Sequence, residues 1–166
     1  MGHRKKFKSQ SKWFYTPNWP RHRDIRFISC LAWYPEFGHK QVDLDALDLE
    51  AIDFARDYIN ERAEHDYCVD FYLVKLHLLR QCYTTFKRIV DDPAFCWNPL
   101  TNRVVGSKAS WDALFKENYF AKAYRYRGEA LYKVLQSIFD PDYDVNEGAS
   151  DGDAQVMDSS DDDVEL

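Results

Sequence analysis

The residues of this 166-residue chain best placed to do chemistry, by type and spacing, are cations close to its beginning. Arg4, Lys5, Lys6 and Lys8 enclose Phe7 in the run RKKFK, and Lys12, Arg21, Arg23 and Arg26 extend it. Mobile positive charge neutralises phosphates and releases their counterions, so such a run suits a nucleic-acid backbone. The same composition also suits a nuclear import signal or a solubilising tail. At the other end Ser150, Ser159 and Ser160 stand before acids, in SDGD and SSDDD. Acidophilic kinases use that setting, and phosphate there would add negative charge.

Other chemistry is poorly supplied. No GxSxG, P-loop, HExxH or GxGxxG occurs in the sequence. His3, His22, His39, His65 and His77 fall in separate segments, with no Ser or Cys beside them in a nucleophile pattern. Cys30, Cys68, Cys82 and Cys96 form no CxxC pair, so close-set zinc ligands are not provided. Reduced, buried thiols are the expectation. Asp43, Asp45, Asp48, Asp91 and Asp92 suit helix caps and surface charge better than a metal site. The expectation is a non-enzymatic protein with no cofactor, metal or small-molecule substrate. Apolar runs are too short to span a membrane, the N-terminus lacks a signal peptide's apolar segment, and Lys6 stands where myristoylation needs Ser or Thr.

The net charge of −6 conceals a polar arrangement of charge. From Asp140 onward there are eleven acids and no Lys or Arg; without them residues 1–139 hold 22 basic against 17 acidic residues, a balance of +5. The predicted organisation is a basic flexible arm over 1–18, a body over 19–139 and a disordered acidic tail over 140–166.

Hydrophobic residues make up 45% of the chain and aromatic ones 16%, enough for a core. Pro17 and Pro20 bracket Trp19 and favour a turn or helix start. Ile25, Ile28, Leu31 and Ala32 give one face to a first helix over 21–34. Asp45 and Asp48 offer caps to a second over about 46–62, with Leu49, Ile52, Phe54, Ala55, Tyr58 and Ile59 inward. Asp70 caps a third running to about Val90. Its stripe is Tyr72, Leu76, Leu79, Tyr83, Phe86 and Val90, with Lys75, Gln81, Thr84, Lys87 and Arg88 opposite. Asp91-Asp92-Pro93 ends that helix. Asn98-Pro99 is a turn, Arg103-Val104-Val105 a short extended piece, Ser110 the cap of a fourth helix, and 129–139 a fifth. The rings of Trp97, Trp111, Tyr119, Phe120, Tyr124, Tyr126 and Tyr132 suit base stacking or a core, and a small helical domain needs them in its core.

The order Trp97-Asn98-Pro99, Ser110-Trp111-Asp112 and a final aromatic helix resembles the Myb/SANT-like domain of plants and transposon-derived proteins. Upstream, Trp19 to Ile28, Glu50 to Asn60 and Lys75 to Lys87 are similar to its first three helices, so the likeness covers about 19–139. Ala123-Tyr124-Arg125-Tyr126-Arg127 stands where that family has a basic stretch. The resemblance implies an all-α Myb/SANT-like helical bundle with extra C-terminal helices. It also implies a nuclear DNA-associated protein, such as a transcription regulator or transposon-derived DNA-binding factor. In such bundles helix three enters the major groove, so Lys75, Arg80, Lys87 and Arg88 would contact DNA, with Arg4, Lys5, Lys6 and Lys8 adding phosphate contacts. This chain has Leu73-Val74-Lys75 where relatives carry a Lys-Asn-Arg-like patch, and Leu and Val cannot pair with base edges. That departure suits the alternative, a SANT-type module that binds a nuclear or chromatin protein partner without reading DNA sequence.

Overall fold

The computed structural model describes residues 10, 14, 18–34, 49–63, 66–140 and 142–143. These residues are mostly helical, with one small two-stranded sheet. Helix α1 covers Arg21–Trp33 and α2 covers Leu49–Asn60. The long α3 covers Val69–Asp91. An antiparallel hairpin follows, β1 Phe95–Asn98 and β2 Arg103–Gly106, paired Phe95 to Gly106 and Asn98 to Arg103. Helix α4 (Lys108–Glu117), a 3-10 turn (Tyr119–Tyr124) and α5 (Tyr132–Phe139) complete the order.

Helix α3 is the centre of the bundle. It packs against α2, α5, β1 and the 3-10 turn. Tyr72, Leu76, Leu79, Tyr83 and Phe86 are buried together, as the stripe requires. The buried strip is wider than the sequence implied, because Lys75, Cys82 and Ile89 join it. Lys75 is three residues after Tyr72 and four before Leu79, so its position is in phase with the core although its side chain is cationic. Val90 is only half-buried.

The other helices show similar rotations. On α1 the inward residues are Asp24, Phe27, Ile28, Cys30 and Leu31, while Ile25 and Ala32 face out. On α2 Ala51, Ile52, Ala55 and Ile59 are buried, and Leu49, Phe54 and Tyr58 are exposed. Alanines let α1 and α2 pack closely, which a search for large apolar residues overlooks. Helix α2 ends at Asn60. Its side chain donates to Asp66 Oδ1 at 2.6 Å and the Tyr67 carbonyl at 2.9 Å, and accepts from Tyr72 Oη at 2.9 Å. The proposed caps Asp45 and Asp48 lie outside the described residues.

Two further caps differ from expectation. The residue before α3 is Cys68, and Asp70 sits within the first turn, where a carboxylate favours the helix dipole. Ser107, not Ser110, caps α4: its extended backbone lets Oγ accept the Ser110 N–H at 3.0 Å. Helix α5 starts only at Tyr132, because Glu129 turns its carboxylate back onto the Leu131 N–H at 3.0 Å.

Trp111 is buried, but Trp97 is only half-buried. Trp97 meets Phe86 and Tyr132 edge-on at 5.3 Å each, and its Nε1 donates to Asn102 Oδ1 at 3.1 Å. Asn102 has a φ of 48°, a left-handed value that asparagine tolerates. From there its amide donates to the Gly128 carbonyl at 3.1 Å, and its own carbonyl accepts the Gly128 N–H at 2.9 Å. The hairpin turn thus fastens the segment before α5 to the end of α3.

Candidate nucleic-acid interface

The cations expected on α3 do not form one open surface. Lys75 is withdrawn from solvent: its Nζ donates to the Phe14 carbonyl at 3.2 Å and lies 3.5 Å from Asp24 Oδ1. It cannot reach a duplex without unfolding the core, which corrects the expectation that it touches DNA. Burial lowers its pKa, partly opposed by Asp24. Lys87 bonds Asp91 at 2.9 Å, and that bond raises its pKa. Arg88 pairs with Glu117 of α4. Lys87, Arg88, Asp91, Asp92 and Thr84 line a shallow open hollow of mixed charge. Arg80 is exposed. At the start of the helix Leu73 is half-buried and Val74 is 64% exposed, so an apolar patch stands where base-reading side chains would be needed.

A different surface gathers cations and rings. Lys108, Asp112 and Lys116 follow at four-residue steps along one face of α4. Lys108 holds Asp112 at 2.5 Å, and this bond, with Lys116 and Arg125 close by, pulls the Asp112 carboxyl below its ordinary value. Three cations therefore act on one carboxylate. Beside them Lys122 Nζ lies 3.9 Å from the Tyr119 ring centre and 5.8 Å from that of Phe115. The Arg125 guanidinium spans Trp111 at 5.0 Å and Tyr126 at 5.1 Å. Tyr119 is 63% exposed and Tyr126 56%. Residues 108–127 hold five cations (Lys108, Lys116, Lys122, Arg125, Arg127) against Asp112 and Glu117.

Cations over aromatic faces, beside exposed tyrosines, can neutralise phosphates while the rings offer stacking area. The sequence signal was the alternation Tyr124-Arg125-Tyr126-Arg127. It was legible as a basic stretch, but not as a surface, because Tyr124 is fully buried while Tyr126 points out. Trp111 and Tyr132 are also core. Among the described residues, Trp111 Nε1 is the buried side-chain polar atom without a hydrogen-bond partner; its ring meets Phe95 edge-on at 4.7 Å.

Inside the bundle lies a polar cluster that sequence reading missed. Asp24 accepts the Trp19 Nε1–H at 2.6 Å. Burial raises the Asp24 pKa despite Lys75 and Trp19. Glu129 Oε2 accepts the Tyr124 hydroxyl at 3.0 Å, and burial raises the Glu129 pKa as well. The Cys82 thiol is pushed up by the same cause. These groups are enclosed by protein. Cys30 and Cys82 are buried thiols, as expected, but Cys68 and Cys96 are exposed. Among the described residues no group of three His, Cys, Asp or Glu could hold a metal ion, and no helix is long and apolar enough to cross a membrane.

Arg4, Lys5, Lys6 and Lys8, and the serines Ser150, Ser159 and Ser160, lie outside the described residues. Within the stretch expected to be a flexible arm, Gln10, Phe14 and Asn18 touch the body. No family model matches the chain, and neither the curated proteins nor the solved structures contain a match to it.

Proposed function

We propose that this chain is a Myb/SANT-like, non-enzymatic nuclear protein that associates with DNA weakly and without strong sequence preference. The observation that carries this reading is the surface of Lys108, Lys116, Lys122 and Arg125 beside exposed Tyr119 and Tyr126. Its cations supply the phosphate-neutralising term of affinity, which falls with salt. The first turns of α3 present Leu73 and Val74 where base-reading groups would be needed, so specificity is low. The ordering of helices α1 to α3 and the tryptophans of the hairpin and α4 are in keeping with the family resemblance.

A second reading has its own support. Lys87 with Asp91 and Arg88 with Glu117 leave the outer side of α3 close to charge balance, with Val74 exposed next to it. Such a face suits a nuclear protein partner better than a phosphate backbone. Fluorescence anisotropy of a random-sequence duplex over a salt series separates the two. The variant Lys116→Gln/Lys122→Gln/Arg125→Gln should lose affinity and salt slope, while Lys87→Gln/Arg88→Gln should change little. A wild-type chain silent at low salt would sink the DNA reading and favour the protein-partner one.

A further inference from the structure

We infer, resting on the DNA reading above and deepening it, that this surface takes an unpaired DNA strand, whose bases stack on Tyr119 and Tyr126 while Lys122 and Arg125 meet its phosphates. The rings and cations here form one linked row. Lys122 Nζ lies 3.9 Å from the Tyr119 ring centre and 5.8 Å from that of Phe115. Phe115 packs on Trp111 at 5.4 Å, and the Arg125 guanidinium lies 5.0 Å from Trp111 and 5.1 Å from Tyr126. The inner member, Trp111, is core, whereas the tyrosines at the two ends of the row are 63% and 56% exposed. Both ends are mounted on fixed backbone. Next to Tyr119, Asn118 donates to Thr85 Oγ1 at 3.2 Å and accepts the Phe120 N–H at 3.0 Å. Two residues before Tyr126, buried Tyr124 is held by Glu129 at 3.0 Å.

This chemistry fits a strand better than a duplex. A duplex hides its base faces in the stack and offers edges, which amide side chains read at adenine. Between Lys108 and Arg127 the one amide side chain, Asn118, is committed to Thr85 and the Phe120 N–H. What the row offers is ring area with cations beside it, and every unpaired base has a face to lay on a ring. Stacking of that kind is tolerant of sequence, in line with low specificity. Charge alone pulls the other way, because a duplex carries its phosphates more densely than a single strand. A preference for the strand must therefore come from the rings.

The test uses the full chain, a labelled oligothymidylate of about 15 nucleotides and a random-sequence duplex of the same length, with anisotropy read over a salt series. The wild type should bind the strand several-fold more tightly than the duplex. Tyr119→Leu and Tyr126→Leu, which leave every charge in place, should each weaken strand binding by about fivefold or more, the lower end for a stacked base. Their salt slopes and duplex binding should hardly change, and the duplex arm shows that each variant is folded. Lys122→Gln/Arg125→Gln should weaken both ligands and flatten both slopes. A duplex bound as tightly as the strand, or strand binding unchanged in both leucine variants, overturns the strand site while the DNA reading stands. A wild type that binds neither ligand at low salt overturns both.

Discussion

Lys75 of α3 and Asp24 of α1 face each other at 3.5 Å inside the bundle, with side chains 8% and 3% exposed. Asp24 also takes the Trp19 indole N–H, and Lys75 the Phe14 carbonyl. The pair therefore ties α1 to α3 and to residues that precede both. Burial moves each group toward its neutral form, raising Asp24 and lowering Lys75. Its mutual attraction offsets a desolvation cost instead of adding a large surplus.

Removing one partner should thus be far worse than replacing both. Lys75→Met alone should cost about 3–5 kcal/mol by leaving a buried carboxylate uncompensated. Adding Asp24→Asn, which keeps an acceptor for Trp19, should recover most of that loss. Urea unfolding of the two variants and the wild type checks this, and a double variant no better than the single one would contradict it.

Trp111 and Trp97 should separate in the same assay. Trp111→Ala should cost about 3–5 kcal/mol, the range for a large core aromatic. Trp97→Ala should cost less, because its ring is half-exposed and its loss leaves a groove open to water instead of a closed void.

Gly128 has no room for a methyl group. A Cβ there would stand 2.4 Å from Asn102 Oδ1, 2.7 Å from Phe86 and 2.9 Å from Trp97 Nε1. Gly128→Ala should therefore destabilise by about 1–3 kcal/mol through overpacking. It should also broaden the indole signal of Trp97 in NMR, since the Asn102 bond must shift.

Glu129 gives the fold a pH dependence of known sign. Burial raises its folded pKa above the ordinary 4.5, though the Leu131 N–H, the Tyr124 hydroxyl and Arg21 oppose this. A raised folded value means a contribution present below 4.5 and lost as pH rises through the folded value. Glu129→Gln should remove that loss. Its stability relative to the wild type should improve from pH 4 toward 7, and parallel curves would contradict the assignment.

The acidic tail should compete with DNA for the cations of the opposite end. Asp140 belongs to the fold: burial acts to raise its pKa, but bonds from Tyr83, the Asp142 N–H and Gln136 lower it. The proper truncation therefore removes 144–166, which carries nine of the eleven terminal acids. Duplex binding by that truncation should be tighter and steeper in salt. Phosphate on Ser159 and Ser160 in the full chain should act in the opposite direction.

The helices were legible because large apolar residues recur at three- and four-residue steps, as from Tyr72 to Phe86. What periodicity could not show was which polar residues share that phase. Asp24, Lys75 and Glu129 read as solvent-facing by type, yet each is enclosed once a second element covers its position. The site divided in the same way. A basic stretch at 123–127 was visible, but the pairing of Lys87 with Asp91 and Arg88 with Glu117 depends on rotamers and on the approach of α4 to α3. The hairpin was half-seen: Arg103 to Val105 reads as extended, whereas Phe95 to Trp97 becomes a strand only because that segment pairs with it.

The hydrogen bond between Gln10 and Gly128 spans a sequence separation of 118 residues. Closing so long a loop is entropically costly until the body exists to receive it. The hairpin and α4 involve near neighbours and should form early, so this bond belongs to the end of the folding reaction. Changes at Gln10 should then speed unfolding and leave the folding rate almost untouched, a low φ-value in a stopped-flow chevron. During synthesis Gln10 leaves the ribosome long before its partner Gly128 has been made. Gln10 must therefore spend that interval without its partner, which makes this bond a mark of completed folding.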